Sequence, residues 1–168
     1  MSLSMHAASV PTFVRTFHNM LSWLDKAQAH AEARKYSPDA YLALRLAPDM
    51  LPLTKQVQIV TDIAKGCVAR LSGQEPPSWP DDEATLEALR VRLLKAADYV
   101  ESLPAEAIEG SESREIALPT RTGEPRRFTG QAYLTDFVLP NVHFHASITY
   151  ALLRQAGVEL GKKDFLGI

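Results

Sequence analysis

Residues 130–157, GQAYLTDFVLPNVHFHASITYALLRQAG, contain the clearest helical pattern in the chain and its only clustered histidines. Asn141, His145 and Thr149 fall at positions i, i+4 and i+8, on the same face as the apolar residues. A buried polar group costs about 1–3 kcal/mol unless it is hydrogen-bonded, so we expect His145 to meet a partner. The apolar residues of this face recur at steps of three and four, which is typical of a helix packed on other helices: Leu134, Phe137, Val138, Val142, Ile148 and Leu152.

Three further amphipathic segments precede this helix. The first runs from about Leu3 or Met5 to Ala33, and the second begins at residues 47–52 and continues to about Leu71. The third is predicted from about Glu83 to Leu103, where Pro104 ends it. The helical period is lost over residues 112–129, around the sequence TGEP at 122–125, which predicts a small β-hairpin or an ordered loop.

The chain has 168 residues, of which 46% are hydrophobic, and this predicts a single domain spanning residues 1–168. Four amphipathic helices with two long connections predict an all-α four-helix bundle. The pattern alone does not determine the topology of that bundle.

Composition argues against several classes of protein. The formal net charge of −2 gives no global field that would attract nucleic acid. No apolar run approaches the roughly 18 residues needed to cross a membrane. The N-terminus lacks the pattern of a signal peptide, and the single cysteine, Cys67, cannot form an internal disulfide. We therefore expect a cytoplasmic protein that binds neither nucleic acid nor a membrane.

The common phosphate-loop, nucleophile-elbow, CxxC and HExxH motifs are absent, so attention falls on the histidine cluster. Residues two apart on a helix point about 200° away from each other, so His143 and His145 cannot share one metal ion. By the apolar pattern, His145 is the one that faces inward. It is either a core histidine with a hydrogen-bond partner on a facing helix or a functional group.

Two other polar residues are candidates to act with His145. Pro140 interrupts the backbone hydrogen bonding of the last helix, and the carbonyl freed around Asp136 would open a polar pocket beside Asn141. Gln56 borders the apolar face of the second helix, from which it can reach a facing polar group. The candidate catalytic set is therefore His145, Asn141 and Gln56.

The last helix ends in HASITYALLRQAGV at residues 145–158, which resembles the last helix of the DinB/YfiT-like superfamily. Three further segments support this resemblance: APDMLPL at residues 47–53, Gln56-Val57, and GKKDFL at residues 161–166. Together they make the chain similar to an uncharacterised family, a domain of unknown function, within that superfamily.

This resemblance implies an up-up-down-down four-helix bundle that is often dimeric. In many members a divalent metal is held by one histidine of helix 2 and an HxxxH pair of helix 4, and some members transfer or use small thiols. The second histidine of the pair corresponds to His145 and the first to Asn141. On helix 2, Gln56 is the polar residue nearest to the position of the metal-binding histidine. A divalent metal at His145 would therefore be held weakly, because amides replace two imidazoles.

Two functional hypotheses follow. In the first, the chain is an enzyme that keeps a small-molecule pocket between helices 2 and 4, with His145 as acid, base or residual metal ligand. In the second, it is a non-catalytic homodimeric scaffold in which His145 completes a core hydrogen-bond network. A homodimer is expected because helix 1 carries more apolar side chains than one narrow face needs: Phe13, Phe17, Met20, Leu21, Trp23 and Leu24.

Overall fold

The structure is a computed structural model that describes residues 3–120 and 123–168. Its elements in chain order are α1 (Met5–Ala33), a 3₁₀ helix (Pro38–Ala43), α2 (Leu53–Leu71), α3 (Leu86–Ser102), α4 (Ala105–Ile108), β1 (Glu115–Leu118), β2 (Arg126–Thr129), α5 (Gly130–Ala132), a π-helical turn (Tyr133–Val138), α6 (Leu139–Gln155) and α7 (Lys162–Leu166). No helix in these two ranges has the length and apolar character needed to cross a bilayer.

The long helices α1, α2, α3 and α6 form a four-helix bundle. Helix α1 packs on α3 and α6, and α2 packs on the same two helices, so α1 and α2 lie diagonally opposite with little contact. Each helix contributes fully buried apolar side chains to one shared core, such as Phe13, Val60, Leu93 and Val142. The predicted up-up-down-down bundle is thereby confirmed.

The predicted hairpin is confirmed as the antiparallel pair of β1 and β2, in which Glu115 lies opposite Thr129 and Leu118 opposite Arg126. Its inward side chain is Ile116, which is buried against the bundle. Arg121 and Thr122, which include the first residue of the predicted TGEP turn, lie outside the described residues.

Helix α3 begins at Leu86, three residues later than the sequence pattern predicts. The side chain of Thr85 accepts a hydrogen bond from the backbone N–H of Ala88 at 3.0 Å and caps the helix. Glu83, the predicted first residue, instead lies in the crossover loop and forms an ion pair with Arg92. Similarly, α2 begins at Leu53, directly after Pro52 at its N-cap.

The predicted fourth helix is not a uniform α-helix, because a π-helical turn separates α5 from α6. At the end of this turn the N–H of Leu139 donates to the carbonyl of Leu134, five residues back. Pro140 follows immediately; it has no N–H, and in an α-helix its ring would press against the carbonyl of Asp136. A wider turn relieves that contact, so Pro140 accounts for the change in helical period.

The start of this helix is tied to the segment before the hairpin. A Cβ on Gly130 would lie 1.9 Å from the backbone oxygen of Ser111, so only glycine fits there. The N–H of Gln131 donates to the carbonyl of Glu112 at 2.9 Å. The side chain of Thr129 accepts from the N–H of Ala132 at 3.3 Å, which caps α5.

The last segment, for which the sequence predicted no element, forms the short helix α7 and packs against α1. The Trp23 and Phe165 rings stack with centroids 5.5 Å apart, and the Trp23 Nε1–H donates to the carbonyl of Asp164 at 3.0 Å. The six apolar residues of α1 that were expected to supply a dimer surface are all between 0% and 9% exposed. That expectation about α1 was wrong, since these side chains are buried within the chain itself. The homodimer stays a prediction.

Candidate functional site

Helices α2 and α6 bring Gln56 and His145 together. The Nδ1 atom of His145 lies 2.7 Å from Oε1 of Gln56. Gln56 is almost completely buried, and its Nε2 donates to the backbone carbonyl of Leu51 at 2.9 Å. The partner expected for His145 is therefore the buried amide of Gln56.

This arrangement determines which nitrogen of His145 carries the proton. The carbonyl of Leu51 can only accept, so the NH₂ group of Gln56 must face it and Oε1 must face the imidazole. Oε1 can also only accept, so Nδ1 of His145 must donate. In the neutral ring, Nε2 of His145 then carries a free lone pair.

Burial favours this neutral ring. It lowers the pKa of His145 below the ordinary value of 6.5, because a desolvated imidazolium is disfavoured. The ring of Phe144 packs edge-on against His145, with centroids 5.1 Å apart. Nε2 makes no hydrogen bond with a described residue and is not fully buried, since His145 is partly exposed, so solvent can reach it.

Asn141 is not directed toward this pair. Its Nδ2 donates to the carbonyl of Phe137, one turn earlier in the same helix, at 2.6 Å. The side chain of Thr149, which is fully buried, donates to the carbonyl of His145 at 3.0 Å. Both residues therefore satisfy backbone groups of the last helix, and Gln56 is the predicted candidate that contacts the imidazole.

These donors do not fit a chelated divalent metal. Apart from Nε2 of His145, the potential ligand atoms here are the amide oxygens of Gln56 and Asn141, and Oε1 of Gln56 already accepts from His145. Amide oxygens are poor ligands for zinc and nickel. Across residues 3–120 and 123–168, no group of three or more histidine, cysteine or acidic side chains is arranged to hold a metal ion. A lone imidazole ligand binds zinc or nickel weakly.

A second polar cluster, which the sequence analysis missed, surrounds the buried side chain of Arg92 between α2, α3 and the crossover loop. Its guanidinium forms ion pairs with Asp62 at 3.0 Å, Asp81 at 3.1 Å and Glu83 at 2.8 Å. Its Nε also donates to the hydroxyl of Thr61 at 2.8 Å. Arg92 thereby joins two helices to the loop between them.

Arg92 changes the protonation of its partners. Burial alone would raise the pKa of Glu83, but hydrogen bonds from Arg92 and Gln58 outweigh it and the pKa is lowered. Likewise burial opposes ionisation of Asp81, yet the hydrogen bond from Lys55 and the charge of Arg92 give a lowered pKa. Both carboxylates are therefore ionised at neutral pH, and the cluster is a structural network.

A third polar cluster, at the end of α1, was also missed. Nδ1 of His30 lies 2.6 Å from the hydroxyl of Tyr41 and 3.0 Å from that of Tyr36, and the two hydroxyls are 2.6 Å apart. Burial raises the pKa of Tyr41, so its hydroxyl stays protonated. The sequence signal was the nearness of His30 to Tyr36, whereas the role of Tyr41 depends on the path of the 3₁₀ helix.

Comparison with known proteins places this fold among relatives. The profile of a family described as a domain of unknown function (DUF1993) matches residues 5–166. The chain is 37% identical to a DinB family member protein from Shewanella denitrificans, whose crystal structure was determined at 1.83 Å resolution. The two structures superpose with a TM-score of 0.90 over 97% of this chain and 92% of the other. A search of curated proteins found no match.

Proposed function

Because the chain belongs to the DUF1993 family and has the DinB fold, we propose that it binds a small molecule through His145. The ligand donates a hydrogen bond, or a proton, to the Nε2 atom of this residue. In an enzyme of this kind His145 is the general base, and Gln56 is the residue that positions it.

The hydrogen-bonded series His145, Gln56 and Leu51 is the observation that supports this proposal. An imidazole held by a buried amide presents its lone pair in a fixed direction, so little ordering is required when a ligand binds. A lowered pKa keeps that lone pair free of a proton at neutral pH. Asn141 supports the site indirectly, because its amide binds the Phe137 carbonyl beside the π-helical turn.

The proposal is tested by screening small neutral hydrogen-bond donors by saturation-transfer NMR. Phenols, alcohols, thiols and primary amides are the probes. We expect donors that bind the parent to lose binding in His145→Ala and to keep it in His18→Ala, where an exposed histidine of α1 is removed. Equal binding to the parent and His145→Ala, or no binding by any donor, would contradict the proposal.

A metal titration tests the alternative in which His145 is a metal ligand. Because His145 is the one imidazole at this site and its neighbours Gln56 and Asn141 offer only amide oxygens, we expect substoichiometric metal in protein purified without an affinity tag. We also expect weak binding when zinc, nickel or manganese is added. Near-unit occupancy that is lost in His145→Ala would show that the amide groups of Gln56 or Asn141 rearrange to bind metal.

The second functional candidate is a homodimeric scaffold, which is favoured by two exposed apolar side chains beside the site. Phe144, which packs on His145, is 53% exposed, and Leu51, whose carbonyl accepts from Gln56, is 46% exposed. A second copy covering them would enclose His145. Light scattering should then give twice the 18.6 kDa of one chain in the parent and one chain mass in Phe144→Glu. A parent of one chain mass at micromolar concentration would count against the scaffold.

The domain organisation and location belong to the same proposal. We infer a single domain over residues 1–168, supported by a family profile that spans residues 5–166. A cytoplasmic location is supported by the lone buried thiol of Cys67.

A further inference from the structure

We propose that the cavity between α1, α6 and α7 binds a small carboxylate with an apolar body. The cavity has a volume of about 340 Å³, and its wall includes Arg15, His143, Trp23 and Phe165. His143 is two residues from His145 and points to a different side of α6. This is therefore a second site, independent of the one proposed at His145.

The wall of this cavity is preformed, because α7 is held on α1 by directed contacts. Nδ2 of Asn19 donates to the carbonyl of Phe165 at 2.9 Å, and the indole N–H of Trp23 donates to that of Asp164 at 3.0 Å. Tyr150 packs edge-on against both Trp23 and Phe165. An aromatic wall fixed in this way provides a rigid apolar surface for the body of a ligand.

Most polar groups around the cavity are already engaged. The hydroxyl of Thr16 donates to the carbonyl of Thr12 at 2.8 Å, and the amide of Asn19 and the indole of Trp23 have the partners given above. Arg15 and His143 form neither an ion pair nor a side-chain hydrogen bond with any residue of the described chain. Their donors therefore remain available to a ligand.

The guanidinium of Arg15, unpaired within the described chain, favours an anionic ligand. Arg15 is the formally charged side chain of the described lining, and Ile168, the last residue of the sequence, also borders the cavity. Arg15 also borders a neighbouring groove whose lining includes Glu101, but Arg15 and Glu101 do not form an ion pair. A guanidinium binds a carboxylate with two parallel hydrogen bonds, and the imidazole of His143 adds a donor. The apolar wall formed by Trp23 and Phe165 suits an alkyl or aromatic body, in contrast to a bare inorganic anion.

The test uses phenylacetate and hexanoate as probes. Phenylacetamide, the uncharged analogue of phenylacetate, is the control ligand. Binding is followed through the indole N–H signal of Trp23 in ¹H–¹⁵N NMR spectra. The chain has two tryptophans, so the indole signal that remains in Trp79→Phe is that of Trp23. We expect a saturable shift with both carboxylates and at least tenfold weaker binding of phenylacetamide. No saturable shift with either carboxylate up to about 20 mM, or equal binding of phenylacetamide, would overturn the proposal.

Variants identify the groups that bind the probe. Arg15→Gln should weaken phenylacetate about tenfold, and His143→Gln should weaken it to a smaller extent. Arg34→Gln, which removes an exposed arginine at the other end of α1, is the matched control and should bind as the parent does. His145→Ala should also keep phenylacetate binding, which separates this site from the one proposed above. Parent affinity in Arg15→Gln would contradict the assignment.

Discussion

The proton on the imidazole of His145 is positioned by a residue 89 positions away along the chain. Gln56 is locked by its donation to Leu51, so it can only accept from His145. A buried amide with both ends engaged has no alternative orientation without losing a hydrogen bond, which costs about 1–3 kcal/mol. At the scale of the residue, the direction of the free lone pair on Nε2 of His145 therefore depends on one backbone carbonyl, that of Leu51 just before α2.

Removing the imidazole should change stability and its pH dependence together. His145→Ala leaves Oε1 of Gln56 without its donor, so we expect a loss of about 1–2 kcal/mol in the free energy of unfolding at pH 7.5. The folded pKa of His145 lies below the value of 6.5 for an unfolded chain. The stability from the neutral ring is therefore fully present above about pH 6.5 and is lost as the pH falls toward the folded pKa.

Urea unfolding between pH 5 and 7.5 measures this effect. The parent should lose stability on acidification through that range, and His145→Ala should give a flatter profile. His18→Ala, which removes an exposed histidine of α1, is the control and should keep the slope of the parent. If His145→Ala matches the parent in both stability and slope, the hydrogen bond to Gln56 does not contribute to the fold.

At the scale of the element, the last long helix depends on two local features that a simple apolar period does not show. Gly130 permits the backbone of Ser111 to approach the first turn, and Pro140 is preceded by a π-helical turn. Both features set the position of α6, and therefore of His145, relative to α2.

Substituting Gly130 tests the first of these features. The added Cβ in Gly130→Ala would lie 1.9 Å from a backbone oxygen, which cannot move without shifting the chain. We expect a loss of about 1–3 kcal/mol in the free energy of unfolding, measured in urea. Gly123→Ala is the matched control, since no described residue other than its chain neighbours places an atom within 4 Å of the added Cβ, and little change is expected there. Equal stability of the two variants would show that the approach of Ser111 is easily relieved.

The crossover loop between α2 and α3 should depend on Arg92. Arg92→Met leaves the mostly buried carboxylate of Glu83 without its cation, and we expect a loss of about 1–3 kcal/mol. The loss is smaller than for a fully buried ion pair, because Asp62 and Asp81 are each about 40% exposed and can be hydrated. Limited proteolysis should also cut residues 73–85 faster in this variant.

Acidification provides an independent check on the Arg92 network. The lowered pKa values of Asp81 and Glu83 give stability that is present above their ordinary values of 3.8 and 4.5 and is lost as the pH falls through the folded values. The parent should therefore lose more stability than Arg92→Met between pH 5 and 3. Arg90→Met, which breaks exposed pairs with Asp25 and Glu87, should change stability by less than about 1 kcal/mol. If Arg92→Met has the same stability and the same pH dependence as the parent, the Arg92 network does not contribute to the stability of the fold.

At the scale of the whole molecule, the bundle was predictable because its helices keep a long, regular apolar period. The face containing Val138, Val142 and Leu152 is buried as that period indicates. The contacts of α7 were not predictable, because five residues have no measurable period and their aromatic partner, Trp23, is more than 140 positions away. Long-range contacts of this kind depend on the assembled fold.

The candidate site was partly predictable for the same reason. Helical spacing predicted that His145 faces inward and that Gln56 borders the apolar face of the second helix. The resemblance to the DinB/YfiT-like superfamily brought the two into one site, and the structure shows them in contact. Asn141 shares the spacing, but its Nδ2 donates to the Phe137 carbonyl one turn earlier in the same helix. The ion pairs of Arg92 were missed because its partners come from α2 and from the loop before α3.

The position of the proton on His145 decides whether Nε2 can accept a hydrogen bond or a proton from a ligand. Long-range ¹H–¹⁵N NMR spectra of the imidazole rings, recorded at pH 7.5, distinguish a protonated ring nitrogen from one with a free lone pair. We predict a proton on Nδ1 and a free lone pair on Nε2 in the parent, and loss of this preference in Gln56→Leu. A parent spectrum with the proton on Nε2 would contradict the account, because that nitrogen could not then accept from a ligand.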